Sequence, residues 1–247
     1  MHKFAITPID AEKLVNVTTL RGFVKAAHEI AGTSEAIEAF ETGNYKEYDS
    51  GQNGGLVGWS PKYFGGAIEF LAETYFQHFG GAYNLEGIRS TDDFDSTEVD
   101  GGIDHEAKTT KTLNSTFFTK SRRRPQKGSP VYIQTKGTTN FNKTYKTNDG
   151  ARLPNFFMRG FSKAIQTGQA YQARYIIFTT GKDIHYLLDN NSGNNVEVVN
   201  SKAISKRIDG NQDFFNALRV KLGLPEESLP PSPVDPEFAH YFSEDAN

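Results

Sequence analysis

The chain has 247 residues, 36% of them hydrophobic, with 19 Phe and 11 Tyr, enough apolar surface for a large buried core and unlike a disordered chain. It contains no cysteine, which excludes a disulfide framework and any thiolate zinc site, and no apolar run approaches the roughly eighteen residues of a membrane span. Its 27 Lys and Arg against 30 Asp and Glu give a net charge of −3, which taken alone argues against a polyanionic partner.

The first expected elements are helices over 20–31 and 34–40, followed by a Gly-rich connection over 51–58, so that residues 1–60 form an N-terminal helical appendage. Phe64, Ala67, Ile68, Leu71, Ala72, Tyr75 and Phe76 then recur at helical spacing. They predict a helix over 61–78, with Ser60-Pro61 as its start and Gly80-Gly81 as its stop. Strands are expected at 102–107, 131–135, 174–179, 184–188 and 196–199. The Tyr-Ile-Ile-Phe run of the third marks a strand buried on both faces. Phe156, Phe157, Phe161, Ala164 and Ile165 suit a helix over 153–169 packed on the sheet, and a last helix is expected over 211–222. The organisation is therefore an appendage, a core over 61–224 and a Pro-rich tail over 225–247.

The average charge hides a segregation. From Ala107 to Asn148 there is no Asp or Glu, whereas Lys108, Lys111, Lys120, Arg122, Arg123, Arg124, Lys127, Lys136, Lys143 and Lys146 are all basic. A DNA-facing surface on an otherwise acidic protein has this pattern, and so does a solvated basic loop. Thr138 and its neighbours just after the second expected strand suit phosphate contacts.

Two segments carry possible chemistry. Asp100-Gly-Gly-Ile-Asp104 places two carboxylates around a glycine turn at the entry to a strand. In Val131-Tyr-Ile-Gln-Thr-Lys136, strand alternation sets Gln134 and Lys136 side by side on one face. Phosphodiester hydrolysis needs a hard cation held by oxygen ligands and a polar group that orients water. Asp104 and Gln134 supply the first and Lys136 the second.

These pieces resemble the PD-(D/E)XK nucleases, and within them the Mrr-type restriction endonucleases, in which Gln-x-Lys replaces the commoner Glu-x-Lys. Ile68-Glu69 on the expected helix, Asp100-Gly-Gly-Ile-Asp104 and Gln134-Thr-Lys136 stand in the family's order, and the likeness runs from about residue 61 to 181. It implies an α/β fold with a restriction-endonuclease-like mixed central sheet flanked by helices. It also implies Mg²⁺, with Mn²⁺ as a substitute, held by Glu69, Asp104 and Gln134, with Lys136 at the attacking water. Glu73, four residues on, is the alternative helix acid. The stretch 108–128 is longer than in compact members of the family and reads as a basic insert in a hairpin. There Lys108, Lys111, Arg122, Arg123, Arg124 and Lys127 would meet DNA, with Thr138 and Lys143 beyond the active strand.

The expected function is thus a metal-dependent endodeoxyribonuclease of restriction, phage or mobile-element type, cytoplasmic in a bacterial or infected cell, with DNA as partner. A homodimer would pair two sites on a duplex, and a helicase or other motor is a further possible partner. The alternatives are a structure-selective junction or nick nuclease and a non-catalytic DNA-binding subunit of the same fold. Other chemistries are disfavoured: the six histidines lack H-E-x-x-H spacing, and no phosphate-binding glycine loop or Gly-x-Ser-x-Gly elbow is present.

Overall fold

The computed structural model describes residues 13–32, 59–91, 103–113, 125–139, 141, 173–181 and 196–224. The elements expected at 34–40, 153–169 and 184–188, the Pro-rich tail and the tip of the basic insert lie outside these residues.

Helix α1 spans Leu20–Ala31, as its periodicity predicts. The Thr19 Oγ1 accepts from the Gly22 N–H at 3.0 Å and caps it, and Leu20, Phe23, Val24, Ala27 and Ile30 are buried along one stripe. Helix α2 spans Trp59–Phe79 and buries Ala67, Ile68, Leu71, Ala72, Tyr75 and Phe76. It ends in a 3₁₀ turn, Gly80–Tyr83, after which Asn84 takes the left-handed conformation (φ 57°) that turns the chain into a strand.

A five-stranded mixed sheet follows, in the order β1-β2-β3-β4-β5: β1 Leu85–Ser90, β2 His105–Thr109, β3 Pro130–Lys136, β4 Arg174–Thr179 and β5 Val196–Val199. The β1–β2 and β2–β3 pairs are antiparallel, and the β3–β4 and β4–β5 pairs are parallel. With its flanking helices this is the α/β architecture the sequence led us to expect. All six residues of β4 are buried, which is the signature of a central parallel strand. Two elements were not anticipated: β1, and helix α3, Ser201–Ile208, which follows β5 directly. Helix α4, Gln212–Lys221, closes the described residues. Asn200 and Asn211 cap α3 and α4 through their side-chain oxygens, accepting from Ala203 and Phe214 N–H groups.

The described helices pack on one face of the sheet. Leu85, Ala107, Val131, Ile133, Ile176, Phe178 and Val199 from the strands share a core with the buried stripes of all four helices. Its centre is aromatic: Tyr75 and Phe76 lie 5.5 and 5.8 Å from the Phe178 ring, and Phe79 stacks on Phe214 at 5.7 Å. Each such ring contributes on the order of 1.5–3 kcal/mol by leaving water, which fixes the α2 axis over β3 and β4. Among the described residues no helix is long and apolar enough to cross a membrane.

Candidate metal and phosphodiester site

The site is built where β2 enters the sheet beside the C-terminal half of β3. Asp104 immediately precedes β2, and its N–H donates to the Ile133 carbonyl at 2.9 Å, so it is held to β3 as an extension of the ladder. Thr91 ties it from the other side: its hydroxyl donates to the Ile103 and Asp104 carbonyls at 2.7 and 3.0 Å. The carboxylate is thereby aimed across at β3. Its Oδ2 accepts from the Gln134 side-chain amide at 2.6 Å and from the Thr135 backbone N–H at 2.5 Å. Both contacts are charge-assisted and short.

The Gln134 amide can be oriented in one way only beside that group, because a carboxylate accepts and does not donate. Its NH₂ faces Asp104, and its Oε1 is buried without a hydrogen-bond partner among the described residues. A buried amide oxygen left unmet costs about 1–3 kcal/mol. It is the kind of oxygen that a hard cation satisfies. Among the described residues no group of three His, Cys, Asp or Glu side chains converges on one point. The oxygen donors at this place are therefore a carboxylate and an amide carbonyl, a set that suits Mg²⁺ or Mn²⁺ with water completing the shell and does not suit zinc.

Lys136 lies two residues beyond Gln134 on β3 and, by alternation, on the same face. Its strand end is clamped to β4: the Thr180 N–H donates to the Lys136 carbonyl at 3.1 Å, and the Thr180 Oγ1 accepts from the Thr138 N–H at 2.7 Å. Thr138, singled out as a phosphate contact, thus commits its backbone to this clamp.

Glu69 is half-buried on α2. The helix reaches the end of β3 here. A Cβ added to Gly137 would stand 2.8 Å from Ile68 Cγ1 and 2.9 Å from Phe64 Cε1, so α2 touches the backbone one residue past Lys136. Glu73, the other acid, has a structural task. It is buried, accepts from Gln77 at 2.8 Å, and pairs at 2.9 Å with Lys221 of α4. That pair joins α2 to α4, and Glu69 lies one turn nearer the strand end.

The basic insert begins as a hairpin between β2 and β3. Leu113 N–H donates to the Pro125 carbonyl at 3.0 Å, and Gly128 N–H to the Thr109 carbonyl at 2.8 Å, with Gly128 at φ 80°. Lys108, Lys111 and Lys127 are exposed around this base. Lys108 is paired with Pro130, four residues from Gln134, which is about 13 Å along the strand. The hairpin base is therefore at the end of β3 away from Lys136. Arg122, Arg123, Arg124 and Lys143 lie outside the described residues. His105, adjacent to Asp104, points to the opposite face and is buried opposite Ile133, so it belongs to the packing.

Sequence reasoning missed the Thr135 N–H, the Thr180 clamp and Tyr175 of β4. The first two are backbone or backbone-directed bonds that no motif displays. Tyr175 shares the Gln134 face only by virtue of the β3–β4 register.

No protein-family model matches the chain, and no curated protein matches it. Among solved structures it is similar to the MspJI restriction endonuclease in complex with a 27-mer oligonucleotide, at 13% identity and a TM-score of 0.37, over 82% of this chain. The aligned part spans 40% of that enzyme's chain.

Proposed function

We propose that the chain is a metal-dependent endodeoxyribonuclease of the PD-(D/E)XK kind. The observation that carries this reading is the buried, unmet Gln134 Oε1 beside an Asp104 carboxylate that Gln134 and Thr135 hold in place. That oxygen is buried beside a carboxylate and meets no donor among the described residues, which supports a hard cation as its partner. Mg²⁺ bound there would neutralise charge developing on the phosphate and lower the pKa of a water.

The chain's own residues do the rest. Asp104 and Gln134 would present the ligand oxygens, and Glu69, which α2 carries on the other side of the sheet near the strand end, would be the additional carboxylate. Lys136 orients the attacking water and offsets the negative charge of the phosphate. Water oxygen bonds to phosphorus and gives up a proton, the P–O3′ bond breaks, and the 3′ oxygen takes up a proton and leaves as a hydroxyl, so one product carries a 5′-phosphate. Exposed Lys108, Lys111 and Lys127, with Arg122, Arg123, Arg124 and Lys143, neutralise backbone phosphates and position the duplex. Cutting both strands calls for two copies of the site, which is the role of a homodimer in this reading.

The test is cleavage of supercoiled plasmid by the purified protein in Mg²⁺, Mn²⁺ or EDTA, beside Asp104→Asn and Lys136→Ala. Metal-dependent nicking or linearisation that both substitutions abolish is the expected result. DNA retardation with no cleavage in any metal would leave a binding subunit in its place.

A further inference from the structure

Tyr175 stands on β4 opposite Tyr132 of β3, in a parallel register that continues Gln134↔Ile177 and Lys136↔Thr179. Paired residues of parallel strands share a face, so its side chain lies on the Gln134–Lys136 side of the sheet and not on the helix side. It is 1% exposed, yet its hydroxyl has no hydrogen-bond partner among the described residues. A buried phenol ordinarily finds one, because losing water without replacement is unfavourable. Burial, and after it the negative charge of Asp104, push the Tyr175 pKa well above its ordinary value. The hydroxyl therefore keeps its proton at any physiological pH and is a donor, within electrostatic reach of the Asp104 carboxylate.

We infer that Tyr175 is a positioning residue of the Asp104–Gln134 site, its hydroxyl donating to a water held against the Asp104 carboxylate when a divalent cation is bound. Two buried atoms without a partner among the described residues, Gln134 Oε1 and Tyr175 Oη, belong to one face of adjacent strands. A hydroxyl kept there without a partner is what a site completed by solvent and ion looks like. Groups of this kind fix the direction in which a ligating carboxylate faces its cation. The inference rests on the nuclease reading above.

The experiment uses the full chain as wild type, Tyr175→Phe and Asp104→Asn. Thermal midpoints are measured in EDTA, and Mn²⁺ affinity by titration calorimetry. Tyr175→Phe keeps the ring and removes only the O–H. Expected is a midpoint in EDTA equal to or above wild type, together with Mn²⁺ affinity weakened about tenfold. A lower midpoint in EDTA would show that the hydroxyl has a structural partner, and unchanged Mn²⁺ affinity would show that it has no part in the site; either overturns the inference while leaving the nuclease reading standing. Wild type that takes up no more Mn²⁺ than Asp104→Asn would remove the cation site and both readings with it.

Discussion

Replacing Gln134 by Glu probes the site most directly, because it changes one atom's character at a known contact. Asp104 Oδ2 accepts from Gln134 Nε2 at 2.6 Å inside a buried setting, and Gln134→Glu turns that donor into a second carboxylate oxygen. Even relaxed to ~4 Å with an effective dielectric of about 20, two full charges repel by about 4 kcal/mol. The pair can escape by keeping one proton, which at pH 7 costs about 3.7 kcal/mol for a carboxyl of ordinary pKa. The two routes agree on a loss of about 4 kcal/mol in metal-free protein, or roughly 8–16 °C in thermal midpoint for a chain of this size. The retained proton fixes the sign of the pH dependence. The folded state binds more protons than the unfolded one, so the deficit grows as pH rises and shrinks as pH falls toward the ordinary carboxylate range. A divalent cation reverses the balance by linking two carboxylates. Mn²⁺ should raise the midpoint of Gln134→Glu by more than it raises wild type, by about 2.7 kcal/mol at a hundredfold excess over its Kd. Differential scanning fluorimetry across pH 5–8, with EDTA or Mn²⁺, measures all of this. A variant as stable as wild type in EDTA and no more responsive to Mn²⁺ would refute the convergence of two oxygen ligands at this point.

Lys136→Ala should lower the cleavage rate about 10²–10⁴-fold with little change in thermal midpoint, since the side chain is half-buried and the strand end is held through backbone bonds; single-turnover plasmid assays with melting curves check it. Gly137→Ala should cost about 1–3 kcal/mol and depress activity, because its Cβ would press on Ile68 and Phe64 and move α2 off the strand end; denaturant unfolding reads the first and cleavage the second. Removing Lys108, Lys111 and Lys127 together should weaken binding evenly across sequences and flatten the salt dependence of log K by about 2.7, measured by anisotropy at several salt concentrations. Asp209 is pushed up in pKa by burial, against the lowering effect of hydrogen bonds from Leu20 N–H (2.7 Å) and Ser205. Because the folded state favours the protonated form, wild type gains stability as pH falls through that pKa. Asp209→Asn should therefore match or exceed wild type at pH 7, with its advantage disappearing at acid pH.

Much of the frame was legible because apolar spacing and burial coincide. The stripe from Leu20 to Ile30, the run from Phe64 to Phe76 and the Tyr-Ile-Ile-Phe strand each face the common core, and their bounds follow. The shared face of Gln134 and Lys136 was legible for a similar reason, since alternation along a strand is a rule of covalent geometry. Strand β1 was not. Leu-Glu-Gly-Ile-Arg-Ser buries only its first and last residues, sits at the sheet edge, and carries a register shift between Glu86 and Arg89 with Gly87 at φ 63°. Helix α3 was hidden by brevity: Ser201, Ile204 and Ile208 are its whole buried stripe. The β2 strand begins at His105 and not at 102, because pairing with β3 starts at His105↔Ile133. Glu69 and Glu73 were alternatives in the sequence, and the pairing of Glu73 with Lys221, distant along the chain, is a tertiary contact that no local pattern displays.

One bond at the site has a consequence for how the protein can change over generations. The carboxylate of Asp104 is anchored by the Thr135 N–H, a peptide group that every residue except proline would provide at that position. Drift at 135 cannot delete the anchor, and drift at 134 leaves it in place. A lineage that exchanged Gln for Glu beside it would give up the amide's bond and the stability worked out above, yet would keep the acid tied to the backbone of the strand.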